Sequence, residues 1–402
     1  MPKDIPNGSV TTPAGFLAGV AVAGVKHADS TRPDVGLLFS DRPCTAAGMF
    51  TRSTVEGAPV TVSREHLANG RAQAIVANSG IANVAMGQTG LRDAREMAAE
   101  AAAKLGIRQD DVIVASTGVI GWPMPMDRIR KGIRQVEVRS DGGIDLARAI
   151  MTTDTRPKHV AVEFESNGRT YCAGGIAKGS GMIHPDMGTM FAFLTTDAPV
   201  EGACLRMLMR SVVDETFNMV SIDGDTSTSD TVVLLANGAA GGEPIRSDTP
   251  AADSFREAIY SVSRRLAREI AADGEGASKL IEVRISGART LEEARKAART
   301  ITVSPLMKSA VYGSDFNWGR IMMAIGRSGA AIAMERAEVS IGDVVAYTRG
   351  AAASVDPAAA RSALQGPEVI IGANLGTGDA SAVAWGCDLT EEYVKINAEY
   401  TT

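Results

Sequence analysis

Aromatic side chains are scarce in this chain of 402 residues, where phenylalanine, tryptophan and tyrosine together make up 4%. Proteins that bind single-stranded nucleic acid usually stack its bases on such rings, so this scarcity argues against that class. Basic residues are not in excess either, since 41 lysines and arginines stand against 47 acidic residues. We therefore expect no nucleic-acid partner, because such a partner would require a basic face.

Cysteine and histidine are also rare, with four residues of each type scattered along the chain. The cysteines form no CxxC pair, which argues against a zinc site or a disulfide framework and favours a reducing, cytoplasmic compartment. HExxH and P-loop motifs are absent, so we predict no metal and no bound cofactor. The apolar run at 16–25 is too short to cross a membrane, and no membrane partner is expected. A Ser-His-Asp triad stays open, because its members meet only in space.

Two segments, one glycine-rich and one acid-rich, match parts of known binding motifs but lack residues that those motifs require. The segment GANLGTGDAS at 372–381 follows a predicted strand, but Ser381 stands where the dinucleotide fingerprint requires a third glycine. This pattern favours a strand–turn–strand hairpin. The segment DGDTSTSD at 223–230 resembles a calcium loop, yet Thr228 and Leu234 occupy the positions that need glycine and glutamate. We interpret it as a polar loop of side-chain-to-backbone hydrogen bonds.

Strands and helices alternate along the chain with similar weight, and some of the strands form hairpins. The turn SNG at 166–168 joins predicted strands at 159–164 and 169–177, whereas the alanine-rich segment 89–107 has the pattern of an amphipathic helix. Such a mixture predicts an α/β fold with a mixed or antiparallel sheet. The DGEG break places a domain boundary near residue 280.

The stretch KGSGMIHPDMGTMFAFLTTDA, residues 178–198, places a glycine and a β-branched threonine directly before an apolar strand. If the bond between Gly188 and Thr189 broke, the threonine would become N-terminal, and its α-amine could take the proton of its own hydroxyl. Glycine before the break allows close approach to the carbonyl group and tolerates a strained backbone. The pattern alone fits a plain turn before a strand better, since threonine is common in strands.

Several further segments, in order along the chain, carry a resemblance that changes this interpretation. They are IVASTGVIG (113–121), AIMTTDTRPK (149–158), the stretch around Thr189, SIDGDTSTSDTV (221–232), DGEGASKLIEV (273–283), SPLMKSAVYGSDFNWGRI (304–321) and GCDLTEEYVKINAEYTT (386–402). Together they resemble the ornithine acetyltransferase family of arginine biosynthesis, also called bifunctional glutamate N-acetyltransferase. One departure is Gly188, because the family usually has alanine before the threonine.

The resemblance implies a fold and a division of the chain. The implied fold is a four-layer α/β/β/α sandwich related to N-terminal-nucleophile hydrolases, with a smaller C-terminal α/β domain. Self-cleavage before Thr189 would give chains 1–188 and 189–402, associated as an α2β2 tetramer. Chain 1–188 and residues 189–280 would form the catalytic domain, and residues 281–402 the smaller domain, whose tail returns to the active site.

The resemblance also assigns site residues at matching positions. Thr189 is implied as the nucleophile and Thr117 with Gly118 as an oxyanion hole, for which an ordinary strand-ending turn is the alternative. The implied substrate-binding residues are Thr152, Lys178, Thr189, Glu275, Asn397 and Thr402. A lysine with hydroxyl or amide donors suits the α-carboxylate of an amino acid, and a glutamate suits an ammonium group. Taken alone, Lys178 and Glu275 would be solvated surface charges.

The implied reaction moves the acetyl group of N2-acetylornithine to glutamate through an acetyl-threonine intermediate, without a cofactor. The use of acetyl-CoA as a second acetyl donor stays open, because no CoA motif is present. An acyl hydrolase or aminopeptidase of the same fold and a related enzyme of secondary metabolism are alternatives. A non-catalytic small-molecule binding protein is another, and it would show neither a chain break nor an acyl adduct.

Overall fold

The computed structural model describes residues 2–184 and 190–399, which contain both β-strands and α-helices throughout. Contacts between residues divide the chain into two units. The first comprises Met1–Gly179, Asp186–Asp214 and Thr226–Leu266, and the second comprises Ser180–Pro185, Glu215–Asp225 and Ala267–Thr402. Both units thus take residues from both sides of the predicted cleavage point. The division into chains 1–188 and 189–402 stays a prediction.

The first unit is built on strands β1 to β9. They are β1 (Lys3–Asp4), β2 (Phe16–Ala21), β3 (Val35–Phe50), β4 (Arg71–Asn78), β5 (Val112–Ser116), β6 (Lys158–Ser166), β7 (Arg169–Lys178), β8 (Phe191–Thr196) and β9 (Thr231–Ala236). Its helices are α1 (Ala58–Leu67), α2 (Gly87–Leu105), α3 (Met126–Gln135), α4 (Gly143–Ala149) and, for the most part, α5 (Gly202–Glu215) and α6 (Pro250–Ala272). The hairpin β6–β7 and the helix α2 confirm two predictions from the sequence.

These strands form one sheet in the order β1-β6-β7-β8-β9-β3-β4-β5, with β2 paired to β3. The long strand β3 joins two halves of this sheet, because its first part pairs with β2 and β4 and its last residues, from Thr45 to Phe50, pair with β9. Most neighbours run antiparallel, but β4–β5 and β8–β9 run parallel. The mixed sheet predicted from the sequence is therefore confirmed.

The two halves of the sheet face each other across one apolar core. Strand residues of this core include Leu38, Ile75, Ile113, Ile176, Phe193 and Val233. Helices α1, α2 and α3 cover the outer face of one half, where Met97 belongs to a second apolar cluster. Helix α6 covers the outer face of the other half, where the rings of Phe255 and Phe164 lie 6.0 Å apart. This is the predicted four-layer α/β/β/α sandwich, and the fold class is confirmed.

The second unit holds a separate sheet. Its strands are β10 (Leu280–Ala288), β11 (Glu338–Ile341), β12 (Val344–Thr348), β13 (Ala351–Ala352), β14 (Glu368–Asn374) and β15 (Ala380–Cys387). Its helices are α7 (Leu291–Thr302), α8 (Pro305–Tyr312), α9 (Trp318–Arg327), α10 (Pro357–Ser362) and α11 (Glu391–Ala398). Over residues 2–184 and 190–399, no helix combines the length and the apolar character that a membrane crossing requires.

The strand order of the second sheet, β13-β12-β11-β14-β10-β15, contradicts one prediction. The segment 372–381 does not form a hairpin, because β10 lies between β14 and β15. Ile281 of β10 pairs with Val369 on the parallel neighbour and with Gly386 on the antiparallel neighbour. The first four residues of β10 are all buried, which suits a central strand covered on both faces. The turn residues at 372–381 did not indicate that β10, which is distant in sequence, would lie between β14 and β15.

Candidate active site

Strand β5 ends in a turn at Thr117 and Gly118. The N–H groups of Thr117 and Val119 donate to the carbonyl oxygens of Asn78 and Gly80, at 3.1 and 3.0 Å. Among the described residues, none accepts a hydrogen bond from the Gly118 N–H and none bonds to the Thr117 hydroxyl. The side chain of Thr117 is nevertheless buried. Adjacent residues of this turn thus hold two unused donors, one on the backbone and one on a side chain.

Only glycine fits at position 118. Its φ of +131° is rare for other residues, and a Cβ atom there would lie 2.2 Å from the carbonyl carbon of Gly80. The neighbouring backbone is held as well, since the hydroxyl of Ser79 donates to the Ala149 carbonyl at 2.7 Å. The turn is therefore fixed by close backbone contacts, as a preorganised pair of hydrogen-bond donors needs to be.

A second group of polar residues lies at one end of the β6–β7 hairpin. Lys178 closes β7 and donates to the hydroxyl of Thr152 at 2.8 Å. The Lys178 Nζ atom is 3.8 Å from one carboxylate oxygen of Asp154, and Lys158, which begins β6, contacts the other oxygen at 2.7 Å. The same carboxylate accepts the N–H groups of Thr152 and Gly179. One aspartate therefore interacts with two lysines in this cluster.

Burial and charge oppose each other at Asp154. The side chains of Asp154 and Lys158 are 0% exposed, and Lys178 is 4% exposed. Burial alone would raise the pKa of Asp154, but the charges of Lys178 and Lys158 and the hydrogen bonds to the carboxylate lower the pKa to about 2. The carboxylate is therefore ionised at neutral pH. The expectation of a solvated Lys178 is wrong, because its charge is balanced inside the protein.

The residues that follow position 189 lie at the same end of the sheet as Lys178. In the strand register, Lys178 pairs with Phe191 at the start of β8, and Phe191 pairs with Thr231 at the start of β9. Met190 donates its N–H to Asp230 at 2.8 Å and accepts the N–H of Thr231 at 3.0 Å. The backbone N–H and the carbonyl oxygen of Met190, directly after position 189, are thus both hydrogen-bonded.

Asp230 is buried without a full set of partners. It is 1% exposed, and its second carboxyl oxygen has no hydrogen-bond partner in the part of the chain that the structure describes. Burial raises the pKa of Asp230, and the Met190 N–H and the charge of Lys178 oppose this only in part. The shift is toward the protonated form, which both accepts and donates hydrogen bonds.

In the second unit, Glu275 carries a carboxylate that is almost completely buried. It is 7% exposed, so the expectation of a solvated surface charge is wrong here too. One of its oxygens accepts a hydrogen bond from the Asn397 amide at 2.7 Å, and its N–H donates to the Ser180 carbonyl at 2.8 Å. A Cβ atom at Gly181 would lie 2.3 Å from the carboxyl carbon of Glu275. The glycine at 181 therefore leaves the space in which this carboxylate lies.

Asn397 reaches Glu275 from helix α11, near the end of the chain. The hydroxyl of Thr390, directly before this helix, donates to the Gly276 carbonyl at 2.7 Å. No residue of α11 is buried, so polar contacts account for much of its attachment. Thr402, the last of the predicted site residues, lies outside the described residues.

The acidic loop at 223–230 binds backbone. Asp223 accepts the N–H groups of Met182 and Ile183 at 2.5 and 3.0 Å, and that of Asp225 at 3.1 Å. Within the described part of the chain, no three histidine, cysteine, aspartate or glutamate side chains are grouped in a way that could hold a metal. The interpretation as a polar loop of side-chain-to-backbone hydrogen bonds is confirmed by the contacts of Asp223.

The predicted site residues are distributed over both units. Those of the first unit are Thr117, Gly118, Thr152 and Lys178, and those of the second are Glu275 and Asn397. Gly188 and Thr189 lie outside the described residues. Four residues that shape these groups were missed from the sequence: Asp154, Lys158, Gly181 and Asp230. Their importance comes from burial and close contact, for which the only sequence signal was their place inside or beside the quoted family segments.

Comparison with known proteins decides the family. The model of the ArgJ family matches residues 17–402. An arginine biosynthesis bifunctional protein ArgJ from Symbiobacterium thermophilum is 50% identical over 397 residues, which cover 98% of this chain and 99% of that protein. The chain belongs to the ArgJ family. This confirms the resemblance seen in the sequence, and with it the prediction of an acetyltransferase of arginine biosynthesis.

Two further members of the family illustrate the extent of the match. The protein of the same name from Dehalococcoides mccartyi is 46% identical over 398 residues, covering 99% of this chain and 98% of that protein. A crystal structure of arginine biosynthesis bifunctional protein ArgJ from Bacillus halodurans matches with a TM-score of 0.51 and 42% identity. That match covers 53% of this chain and 100% of the crystallised chain. The similarity therefore extends over the whole sequence and includes a solved structure.

Proposed function

We propose that Thr189 carries the acetyl group between two substrates, after the chain breaks between Gly188 and Thr189. The observation that carries this proposal is the pair of unused donors at Thr117 and Gly118, on a turn that Gly80 holds in place. Such donors stabilise the negative oxygen of a tetrahedral intermediate, and one of them is typically worth about 2.7–4 kcal/mol in the transition state. In this proposal Thr117 and Gly118 form the oxyanion hole.

Self-cleavage uses the threonine hydroxyl as the nucleophile and consumes one water molecule. The hydroxyl oxygen of Thr189 attacks the carbonyl carbon of Gly188, the C–N bond breaks, and the peptide nitrogen leaves as a free amine. Water then hydrolyses the ester, which leaves a carboxylate on Gly188 and restores the hydroxyl of Thr189. The new α-amine has an ordinary pKa of about 7.7–8.0, so part of it is neutral in the cytoplasm. The neutral amine can accept the proton of its own hydroxyl.

Acetyl transfer follows in two halves. The Thr189 oxygen attacks the acetyl carbon of N2-acetylornithine while the α-amine takes the hydroxyl proton, and the amide C–N bond breaks as that proton passes to the departing ornithine nitrogen. The α-amine of glutamate then attacks the acetyl ester, loses a proton and frees the Thr189 hydroxyl. We also propose acetyl-CoA as a second acetyl donor, since its thioester presents the same acetyl carbon. The proposed reaction requires no cofactor.

Charged and polar side chains of both units suit the ends of these substrates. In the first unit, Lys178 and Thr152 offer an ammonium group and a hydroxyl to a carboxylate. In the second unit, Glu275 offers a carboxylate to an ammonium group, and Asn397 is its amide partner. Together with Thr402, these residues are the proposed substrate-binding set.

The sheet of the first unit supports the association of the two chains after cleavage. Strand β8 follows the break and pairs with β7 before it, as in Gly175 with Leu194. Strand β9 likewise pairs with β3, as in Ala47 with Leu234. All residues of β8 are buried, so separation would expose them. The proposed assembly contains two copies of each chain.

The length of the crystallised Bacillus halodurans chain is that of a fragment of about half of the sequence. That whole chain corresponds to 53% of the present one, and residues 189–402 make up the same share of the 402 residues. A chain of this length is the expected C-terminal product of cleavage before Thr189.

Replacement of Thr189 tests the proposal. We expect the purified wild-type protein to consist of fragments 1–188 and 189–402, and Thr189→Ala to stay as one chain without acetyl transfer. Thr300→Ala, on helix α7, is the control and should cleave and transfer like the wild type. Intact-mass spectrometry and an acetyl-transfer assay give both results. A Thr189→Ala protein that still breaks, or still transfers acetyl groups, would contradict the proposal.

A further inference from the structure

Two buried aspartates lie at opposite ends of strand β8. Asp230 accepts the N–H of Met190, one residue before the strand, at 2.8 Å. Asp197, one residue after the strand, accepts the N–H groups of Cys172 and Ala14 at 2.8 and 3.1 Å. Their exposed fractions are 1% and 6%. The two carboxyl groups are therefore alike in burial and in their use of backbone donors.

The two aspartates differ in the hydrogen bonding of the second carboxyl oxygen. Both oxygens of Asp197 accept a backbone N–H. The second oxygen of Asp230 has no partner among the residues that the structure describes. A buried polar atom without a partner lowers stability, because it has lost water and gained nothing in exchange. Such an atom in a native protein calls for an explanation, and a role in catalysis is one of the recognised explanations.

The position of Met190 indicates what that role is. Its carbonyl oxygen accepts a bond from the backbone of Thr231 at 3.0 Å, whereas its N–H depends on the side chain of Asp230. Backbone dimensions keep the nitrogen of any residue within about 4 Å of the next nitrogen along the chain. The Met190 N–H that Asp230 binds therefore directly follows, along the chain, the α-amine that cleavage would create.

We propose that Asp230 is a positioning residue for the nucleophile: its carboxyl group fixes the Met190 N–H and orients the α-amine and hydroxyl of the threonine before it. This inference rests on the proposed role of Thr189. One oxygen of Asp230 accepts the Met190 N–H, and the second oxygen is a further hydrogen-bonding atom beside it. Burial raises the pKa of Asp230. An isosteric amide should therefore replace it, whereas a methyl group should not.

The test compares matched variants at the two ends of β8. Asp230→Ala, Asp230→Asn, Asp197→Ala and Asp197→Asn are made in the full-length protein, with Asp230→Ser in place of Asp230→Ala if the latter is insoluble. For each variant we measure the fraction of cleaved chain, the melting temperature, and kcat and KM for acetylornithine and glutamate. A shift of about 1 Å in a reacting group costs about 100-fold in rate, which sets the expected scale.

We expect Asp230→Ala and Asp197→Ala to melt at similarly lowered temperatures. Only Asp230→Ala should also lose self-cleavage or about 100-fold in kcat, with KM changed by less than about threefold. Asp230→Asn should regain most of the lost rate. Equal kcat in the two alanine variants would overturn the inference, and so would an Asp230→Asn variant as slow as Asp230→Ala, because then the carboxylate itself would be required.

Thr189→Ala, assayed in parallel, separates this inference from the proposed function. If Thr189→Ala is inactive and Asp230→Ala behaves like Asp197→Ala, then the inference about Asp230 fails and the proposed function stands. If Thr189→Ala still transfers acetyl groups, the proposed function fails, and the inference about Asp230 fails with it.

Discussion

The two units hold their charged candidate residues in different ways. In the first unit, the carboxylate of Asp154 is bound by Lys158 and by two backbone N–H groups, and Lys178 lies nearby. In the second unit, the carboxylate of Glu275 receives one side-chain bond, from Asn397 on a helix without buried residues. The comparison distinguishes a buried network of opposite charges from a buried carboxylate whose described side-chain partner is a neutral amide.

The two carboxylates differ in whether a positively charged side chain of the protein lies beside them. Asp154 has its cations inside the protein, so its pKa lies at about 2. Among the described residues, Glu275 forms no ion pair, and its partner Asn397 is neutral. A carboxylate that is largely buried without a cation is unfavourable until a ligand supplies positive charge. We therefore assign ammonium binding to the second unit, and substitutions at Asp154 and Glu275 test this difference between the units.

The largest effect is expected for Asp154→Asn. The variant removes the anion that Lys158 and Lys178 contact inside the protein, and removal of one partner of a buried ion pair typically costs about 3–5 kcal/mol. Urea unfolding should show this loss. The control is Asp141→Asn, whose exposed pair with Arg139 should contribute little to stability. A loss for Asp154→Asn as small as that of the control would remove the distinction between the two units.

The dependence of stability on pH tests the role of the Asp154 carboxylate independently. Its pKa in the folded protein, about 2, lies below the ordinary value of 3.8. The carboxylate therefore stabilises the fold fully above about pH 4, and this contribution disappears as the pH falls through about 2. The wild type should lose this share of its stability over that window, whereas Asp154→Asn has none of it to lose. Parallel stability profiles for the two proteins between pH 5 and 2 would contradict the assignment.

A smaller effect is expected for Glu275→Gln. Its amide can still accept a bond from Asn397, so the free energy of unfolding should change little, whereas KM for acetylornithine should rise. A hydrogen bond to a charged group contributes about 1.5–3 kcal/mol, which corresponds to a rise of roughly 10- to 100-fold. Gly181→Ala should give a smaller rise, because it displaces the carboxylate but keeps its charge. Steady-state kinetics that show an unchanged KM in both variants would exclude Glu275 from substrate binding.

The sequence was informative where function depends on short contiguous segments. The turn at Thr117 and Gly118 and the hairpin β6–β7 follow from local chemistry, and the family could be identified from segments spread over the chain. The sequence was misleading where an outcome depends on distant contacts. Strand β10 separates β14 from β15, so the predicted hairpin at 372–381 does not form.

Burial was the second limit on prediction. Lys178 and Glu275 look like ordinary surface charges in the sequence, and only the folded chain shows them to be 4% and 7% exposed. The role of Asp154 depends on two lysines that converge at one end of a hairpin. The unpaired oxygen of Asp230 depends on which of the described residues surround it in the fold. Neither feature has a local sequence signal.

The central claim is that Thr189 itself carries the acetyl group, and one measurement tests it most directly. Purified protein is incubated with N2-acetylornithine alone, quenched in acid and examined by intact-mass and peptide mass spectrometry. We predict that fragment 189–402 gains one acetyl group on its first residue and loses it when glutamate is added. A fragment that stays unmodified while acetyl transfer proceeds at its normal rate, or an acetyl group on another residue, would contradict the account.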